Sequence, residues 1–114
     1  MENLNALQIK VAYAALAHEI AAIKERVVEG TEAAARAFSF KELLRSNPLG
    51  IEMTDEERRM GEGYDRYDKY RDDRCRELVE AEYLMMLLEA QKYGEEPESR
   101  DDFIADHIYG DLFE

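Results

Sequence analysis

Apolar residues recur every three or four positions along much of the chain, the spacing that places side chains on one face of an α-helix. One such stripe predicts a first helix over residues 5–29 and consists of Ile9, Tyr13, Leu16, Ile20, Ile23 and Val27. A second stripe, predicted to lie beside it, consists of Leu4, Leu7, Val11, Ala14 and Ala21, with His18 as a core or interface residue. Gly30 is predicted to end this helix, because glycine readily takes the left-handed conformation that follows many helices.

Two Ser/Thr-x-x-Glu motifs predict where later helices begin, because such a capping box satisfies two backbone N–H groups that a helix start leaves unpaired. Ser39 with Glu42 is predicted to open a short helix. Between it and the first helix, residues 31–37 are predicted to form a separate turn or two of helix. After a loop, Thr54 with Glu57 is predicted to open a long central helix.

The central helix is predicted to continue to Tyr93 and to end at Gly94. Gly61 and Gly63 predict a kink or break, since a glycine inside a helix costs about 1 kcal/mol relative to alanine. Residues 75–90 are apolar on most of the helix circumference and are predicted to be the most buried part of the fold. The large apolar residues there are Leu78, Val79, Tyr83, Leu84, Met85, Met86, Leu87 and Leu88.

A last short helix is predicted to begin after Ser99, which forms a Ser-x-x-Asp cap with Asp102, and to end at Gly110. An aromatic tail follows. The agreement of these caps and stops with the apolar periodicity predicts an all-α protein, a compact bundle of about four helices in a single domain over residues 1–114.

The charge is unevenly distributed along the chain. Residues 1–50 carry six acidic and six basic side chains, residues 51–76 carry nine and seven, and the last 38 residues, 77–114, carry twelve and two. This acidic C-terminal third predicts a protein partner with a basic surface. It disfavours direct binding to nucleic acid, because no positive face accumulates to neutralise phosphates, and it disfavours binding to an anionic membrane surface.

The single cysteine, Cys75, allows no disulfide within the chain, so a reducing cytoplasm is predicted as its location. The thiol is interpreted as a small core residue, although the flanking arginines would favour a reactive thiolate. The longest strictly apolar run, residues 83–88, is far shorter than the ~20 residues that span a bilayer. No membrane segment is therefore predicted.

Two pairs of carboxylates suggest metal chemistry. Glu77 and Glu80 form a Glu-x-x-Glu motif, and Glu98 with Asp101 forms a Glu-x-x-Asp motif. Together they resemble the motifs of all-α nucleotide pyrophosphatases of the MazG type, in which two facing helices gather magnesium against a triphosphate. The resemblance implies a metal-dependent hydrolase. This chain departs from the pattern at Glu98, which follows Pro97 at a helix start.

The charge pattern favours a non-enzymatic interaction protein over an enzyme, with no cofactor and no metal. Its predicted class is an inhibitor, immunity or anti-defence protein, and one form of this prediction is a phage-encoded protein. Such a protein would occupy a nucleic-acid-binding site, with its carboxylates in place of phosphates. The alternative is a small structural or adaptor subunit that self-associates through helix one, which leaves a homodimer open. The predicted partner-binding residues are Glu95, Glu96, Glu98, Asp101, Asp106, Asp111 and Phe113.

Overall fold

The computed structural model describes residues 4–107. Within them the chain forms four α-helices and no β-strand, which confirms the predicted all-α fold. The helices are α1 (Ala6–Arg45), α2 (Asp55–Glu62), α3 (Tyr64–Tyr93) and α4 (Arg100–Ala105). Gly110 and the aromatic tail lie outside the described residues, as do the candidate residues Asp111 and Phe113.

The described residues divide into two compact units. The first unit comprises residues 4–25 and 75–107, and the second unit comprises residues 26–74. Helix α1 supplies its N-terminal part to the first unit and the remainder to the second, and α3 begins in the second unit and continues in the first. The single domain over residues 1–114 stays a prediction.

Helix α1 begins with a reciprocal cap that the sequence analysis did not identify. The Asn5 side-chain oxygen accepts from the Gln8 backbone N–H at 2.8 Å, and the Gln8 side-chain oxygen accepts from the Asn5 N–H at 3.0 Å. The Leu4 N–H, one residue earlier, donates to the side-chain oxygen of Gln91 on α3 at 3.0 Å. This last bond ties the start of α1 to the end of α3 within the first unit.

The predicted end of helix one at Gly30 is wrong, because α1 continues through that residue to Arg45. Gly30 serves close packing within the second unit instead. A Cβ placed there would lie 3.1 Å from the Tyr70 ring and 3.4 Å from the Arg71 Cα, so the missing side chain lets α3 approach α1. The small size of glycine, rather than its access to left-handed backbone, accounts for its presence here.

The predicted capping box at Ser39 and Glu42 is also wrong, since both residues lie inside α1. The Ser39 hydroxyl donates to the Ala35 carbonyl four residues earlier at 3.1 Å, and Thr31 donates to the Val27 carbonyl at 2.7 Å. A hydroxyl that bonds back to the preceding turn is compatible with a helix interior, so these residues cap nothing. The predicted short helix and the separate turn before it are therefore parts of α1.

The second predicted capping box is confirmed at the start of α2. The Glu57 backbone N–H donates to the Thr54 hydroxyl at 3.1 Å, and the Thr54 N–H donates to the Glu57 carboxylate at 2.9 Å. The predicted break is confirmed as well, because α2 ends at Glu62 with Gly63 as its C-cap and α3 starts at Tyr64. The short helix of this fold is therefore α2, and the long central helix is α3.

The two apolar stripes of α1 differ in burial. Ile23 and Val27 on the first stripe are buried, whereas Leu7 and Val11 on the second are 69% and 62% exposed. Consecutive helical residues are rotated by roughly 100°, so Leu7 and Ile9 point about 200° apart. The second stripe therefore faces away from the first rather than lying beside it.

The apolar part of α3 contains six buried residues in the first unit, namely Cys75, Leu78, Val79, Ala81, Leu88 and Ala90. Of the large apolar residues predicted to be buried here, Tyr83, Met85, Met86 and Leu87 are half-buried. The prediction that Leu84 belongs to this core is wrong, because its side chain is 42% exposed whereas that of Leu88, one turn later, is 5% exposed. Leu84 and Tyr93 are thus exposed apolar residues of α3 on the first unit.

We expect Leu88→Ala to lower the free energy of unfolding by about 2–5 kcal/mol, because it removes buried methyl groups and leaves a cavity. Leu84→Ala is the matched control on the same helix and should cost less than about 1 kcal/mol, since much of its side chain is already in water. Urea denaturation followed by circular dichroism measures both values. Equal losses at the two positions would contradict the burial described here.

We expect Gly61→Ala to destabilise the protein despite the better helix propensity of alanine. A Cβ at Gly61 would lie 2.8 Å from the Phe40 carbonyl carbon and 2.9 Å from the Lys41 nitrogen, and backbone atoms cannot move aside cheaply. Overpacking of this kind costs about 1–3 kcal/mol. Gly30→Ala is the comparison, because the closest atom to its Cβ would be in the Tyr70 ring at 3.1 Å rather than in backbone, and it should cost less than Gly61→Ala in the same denaturation experiment.

Candidate functional site: an acidic surface on the first unit

Helix α3 ends as predicted at Gly94, which has a φ of 65°. The Glu95 N–H donates to the Ala90 carbonyl at 2.9 Å, closing the last turn around this left-handed glycine. The chain then runs to Ser99, whose hydroxyl accepts from the Asp102 N–H at 3.2 Å and caps α4, as predicted. Every residue from 92 to 102 is exposed, so this connection presents its side chains to solvent.

Helix α4 is anchored to α3 by apolar contacts within the first unit. Ile104 is buried, and the Phe103 ring packs against the Tyr83 ring with centroids 5.5 Å apart. The Phe103 ring also lies beside the His107 imidazole, at 6.2 Å between centroids. These contacts fix the orientation of α4, and therefore of the carboxylates on its other side.

Two polar contacts between α4 and α3 were not identified from the sequence. The Arg100 guanidinium forms an ion pair with Glu80, and the His107 Nε2 lies 2.8 Å from a Glu82 carboxylate oxygen. Both join residues 20 or more positions apart, so no helical spacing reveals them. They give Glu80 and Glu82 polar partners on α4, whereas Glu77 and Glu89 of α3 are exposed like the carboxylates of α4 and its preceding loop.

The predicted partner-binding residues that the structure describes lie together on this segment. Glu95, Glu96 and Glu98 are exposed in the connection, and Asp101 and Asp106 are exposed on α4 and at its C-terminal end. Residues 94–107 carry six carboxylates against one arginine. We call residues 95–106 the acidic surface.

Two carboxylates of the acidic surface interact directly. A hydrogen bond with Asp106 raises the pKa of the Glu98 carboxyl above its ordinary value, and desolvation and the negative charges of Asp106 and Asp102 add to the effect. The direction of the shift follows from the cost of placing a second negative charge beside Asp106.

The carboxylates that resemble a pyrophosphatase motif have other roles in this structure. Glu80 pairs with Arg100, and Glu98 interacts with Asp106. Among residues 4–107 no group of three or more His, Cys, Asp or Glu side chains is arranged to hold a metal ion.

Two other chemically active side chains have clear positions. The Cys75 thiol is buried, as predicted for a core cysteine. His18 is exposed on the outer side of α1, so it is not a core histidine within this chain. The interface role predicted for it stays a prediction.

Each unit carries a shallow cavity of about 520 Å³. The cavity of the second unit is lined by Glu29, Gly30, Ala33, Arg66, Tyr67 and Tyr70, and the Tyr70 ring lies 4.7 Å from the Arg74 guanidinium carbon. The cavity of the first unit is an apolar groove, lined by Leu4, Ala12, Ala15, Leu16, Glu19, Leu84 and Leu88. Glu19 is the one charged residue that lines this groove.

Among the described residues, α1 is the one helix long and apolar enough to cross a membrane, judged by length and composition alone. The most apolar 18-residue window has a mean hydropathy of 1.2, and 17% of it is buried. Core helices of soluble proteins and signal sequences meet the same criterion. The predicted absence of a membrane segment and the predicted cytoplasmic location both stay predictions.

The chain matches no known protein family, no curated protein and no solved structure.

We expect the Glu98 carboxyl to titrate above the ordinary glutamate pKa of about 4.3. Because the folded-state pKa is raised, the Glu98–Asp106 hydrogen bond stabilises the fold at pH values below the unfolded pKa and is lost as the pH rises through the folded one. Asp106→Asn should lower the pKa of Glu98, since an amide can donate to its ionised form. Carboxyl-detected NMR titration measures the change, and Asp101→Asn is the control that should leave the Glu98 titration unaltered.

Proposed function

We propose that this protein is a non-enzymatic interaction protein that binds a basic surface on a protein partner through its acidic surface. The observation that carries the proposal is the acidic surface itself, because residues 94–107 carry six exposed carboxylates and a single arginine on one short segment. Carboxylates grouped in this way add their negative potentials. A cationic partner would be attracted by that potential and would reduce the repulsion among the carboxylates.

The rigidity of the surface supports the same proposal. Because Ile104 and the Phe103–Tyr83 contact hold α4 on α3, the backbone that carries the carboxylates of α4 is positioned before a partner arrives. Preorganised groups lose little conformational entropy on binding. The Arg100–Glu80 pair adds to this effect by directing the one arginine of the segment toward α3.

A partner that normally binds nucleic acid fits this surface best. Such a protein presents lysine and arginine side chains spaced to meet phosphates, and closely placed carboxylates offer charges of the same sign. We therefore propose an inhibitor of a nucleic-acid-binding enzyme, of the immunity or anti-defence type. Phage origin and a cytoplasmic location belong to the same proposal.

The test begins with affinity purification of the partner from the native host. We then expect the triple change of Glu95, Glu96 and Glu98 to glutamine to weaken binding at least tenfold, mostly through slower association, because exposed charges steer encounter more than they hold the complex. Surface plasmon resonance separates the two rate constants. Affinity of the unmodified protein should also fall in about 1 M salt, where the Debye length is about 3 Å.

A matched control carries the same charge change elsewhere. Glu32, Glu52 and Glu62 are exposed residues of other segments, and their triple change to glutamine should leave the association rate within about twofold. Equal losses from both triple variants would mean that only net charge matters. Binding that survives the first triple variant and high salt would place the partner site elsewhere.

A further inference from the structure

The cavity of the second unit combines aromatic, small and charged residues, and the proposed function does not use it. Its volume of about 520 Å³ lies within the range of ~300–1,000 Å³ that is typical of small-molecule sites. Three of its lining residues belong to α1 and three to α3. A ligand in this cavity would therefore contact both helices at once.

Helices α1 and α3 run antiparallel along the cavity. Gly30 of α1 lies beside Tyr70 of α3, whereas the Phe38 ring lies beside the Tyr64 ring, with centroids 5.6 Å apart. Residue numbers therefore rise along α1 as they fall along α3. This direction places Glu29, next to Gly30 in sequence, at the Tyr70 end of the cavity.

The Arg66 guanidinium lies toward the opposite end. A Cβ placed at Gly63 would lie 2.7 Å from the Arg66 Nη2, so this side chain extends back toward the start of α3. Gly63 and Tyr70 are separated by about 10 Å along the helix axis, at 1.5 Å per residue. The cavity thus has a carboxylate near one end and a guanidinium near the other.

Both charged groups are available to a ligand. Glu29 and Arg66 are exposed, and within residues 4–107 neither side chain is engaged in an ion pair or a hydrogen bond. The hydroxyl groups of Tyr67 and Tyr70 are likewise not hydrogen-bonded within that range. A ligand could therefore bind these groups without displacing a partner that they already have in the described part of the chain.

The two tyrosines supply flat apolar surface between the charged ends. Tyr70 is 42% exposed and Tyr67 is half-buried, and aromatic side chains of this kind stack on the rings of nucleic-acid bases. Gly30 and Ala33, which line the cavity from α1, have little or no side chain to fill it. The space beside the tyrosines is therefore open to a planar ring.

The charge of the second unit permits an anionic ligand. Residues 26–74 carry twelve acidic and ten basic side chains, and the acidic C-terminal third belongs to the first unit. A single phosphate group can be bound by one guanidinium, which offers it two parallel hydrogen bonds. A nucleic-acid strand instead needs a row of cations, so the prediction against nucleic-acid binding does not extend to a single nucleotide.

We propose that this cavity binds a nucleoside monophosphate. The base stacks on the tyrosines, an exocyclic amino group of the base donates to the Glu29 carboxylate, and the phosphate accepts from the Arg66 guanidinium. A free amino acid fits less well, because its ammonium and carboxylate groups are bonded to the same carbon and cannot reach both ends. The inference is independent of the proposed function, since the acidic surface belongs to the other unit.

The first experiment adds adenosine monophosphate to the full chain labelled with ¹⁵N and follows the backbone amide signals by NMR. We expect saturable shifts at Gly30, Ala33, Tyr67 and Tyr70, with a dissociation constant below about 1 mM. Adenosine lacks the phosphate, and uridine monophosphate lacks an exocyclic amino group on its base. Each should bind about tenfold more weakly, because each loses a hydrogen bond to a charged group.

The second experiment assigns the two charged groups to the two ends of the ligand. Arg66→Gln should weaken binding of adenosine monophosphate about tenfold and leave the affinity for adenosine within about threefold, since adenosine has no phosphate to lose. Glu29→Gln should bring adenosine and uridine monophosphates to similar affinities, because an amide accepts from an amino group and also donates to a carbonyl.

Matched controls use the same substitutions outside the cavity. Arg58 and Glu52 are exposed residues of the second unit that do not line it. Arg58→Gln and Glu52→Gln should leave all three dissociation constants within about twofold. All four substituted positions are exposed, so the variants should keep the fold, which circular dichroism verifies.

Three results would overturn the inference. The first is the absence of saturable shifts at up to about 10 mM adenosine monophosphate, or shifts centred on other residues. The second is an Arg66→Gln variant that binds adenosine monophosphate as tightly as the unmodified protein does. The third is equal affinity for adenosine monophosphate and inorganic phosphate, which would mean that the tyrosines and Glu29 contribute nothing to binding.

Discussion

The continuity of α1 is the constraint on which the rest of the structure depends. Its 40 residues supply buried side chains to both units, Ile23 to the first and Val27, Ala34 and Ala37 to the second. A helix of this length needs an unbroken series of backbone hydrogen bonds, and it contains two residues that were predicted to lie at or beyond its end. The Thr31 hydroxyl donates to the Val27 carbonyl in the preceding turn, and Gly30 allows Tyr70 of α3 to pack closely.

The chemistry of the first unit follows from how α4 is attached. Six residues of helix could not remain ordered alone, since isolated helices shorter than about 12–15 residues are marginal in water. Packing of Ile104 and Phe103 supplies the stability, and the Ser99 cap satisfies a backbone donor at the start. The same attachment places Asp106 near Glu98, and this proximity raises the pKa of the Glu98 carboxyl. The exposed carboxylates grouped on this segment are available to attract a cation.

The first unit thus carries two surfaces that suit different kinds of partner. The acidic surface is polar, exposed and far from neutral, whereas the N-terminal part of α1 exposes the apolar side chains of Leu7 and Val11. Long-range electrostatic attraction would govern recognition at the acidic surface, and removal of apolar area from water would govern recognition at the exposed apolar side chains of α1. Salt weakens the first kind of contact and not the second, so the two would be distinguishable even in a protein that used both.

The sequence by itself determined the all-α class, the caps at Thr54 and Ser99, the break near Gly63 and the segment that carries the negative charge. These features are local, because a cap or a charge run needs only residues within one turn of each other. Only the tertiary structure showed that the missing side chain of Gly30 serves close packing inside α1, since its neighbour Tyr70 lies 40 positions further along the chain. It also decided which apolar stripe faces the core and which carboxylates of α3 are paired. Periodicity identifies an apolar face, but only the position of the neighbouring helices determines whether that face is buried.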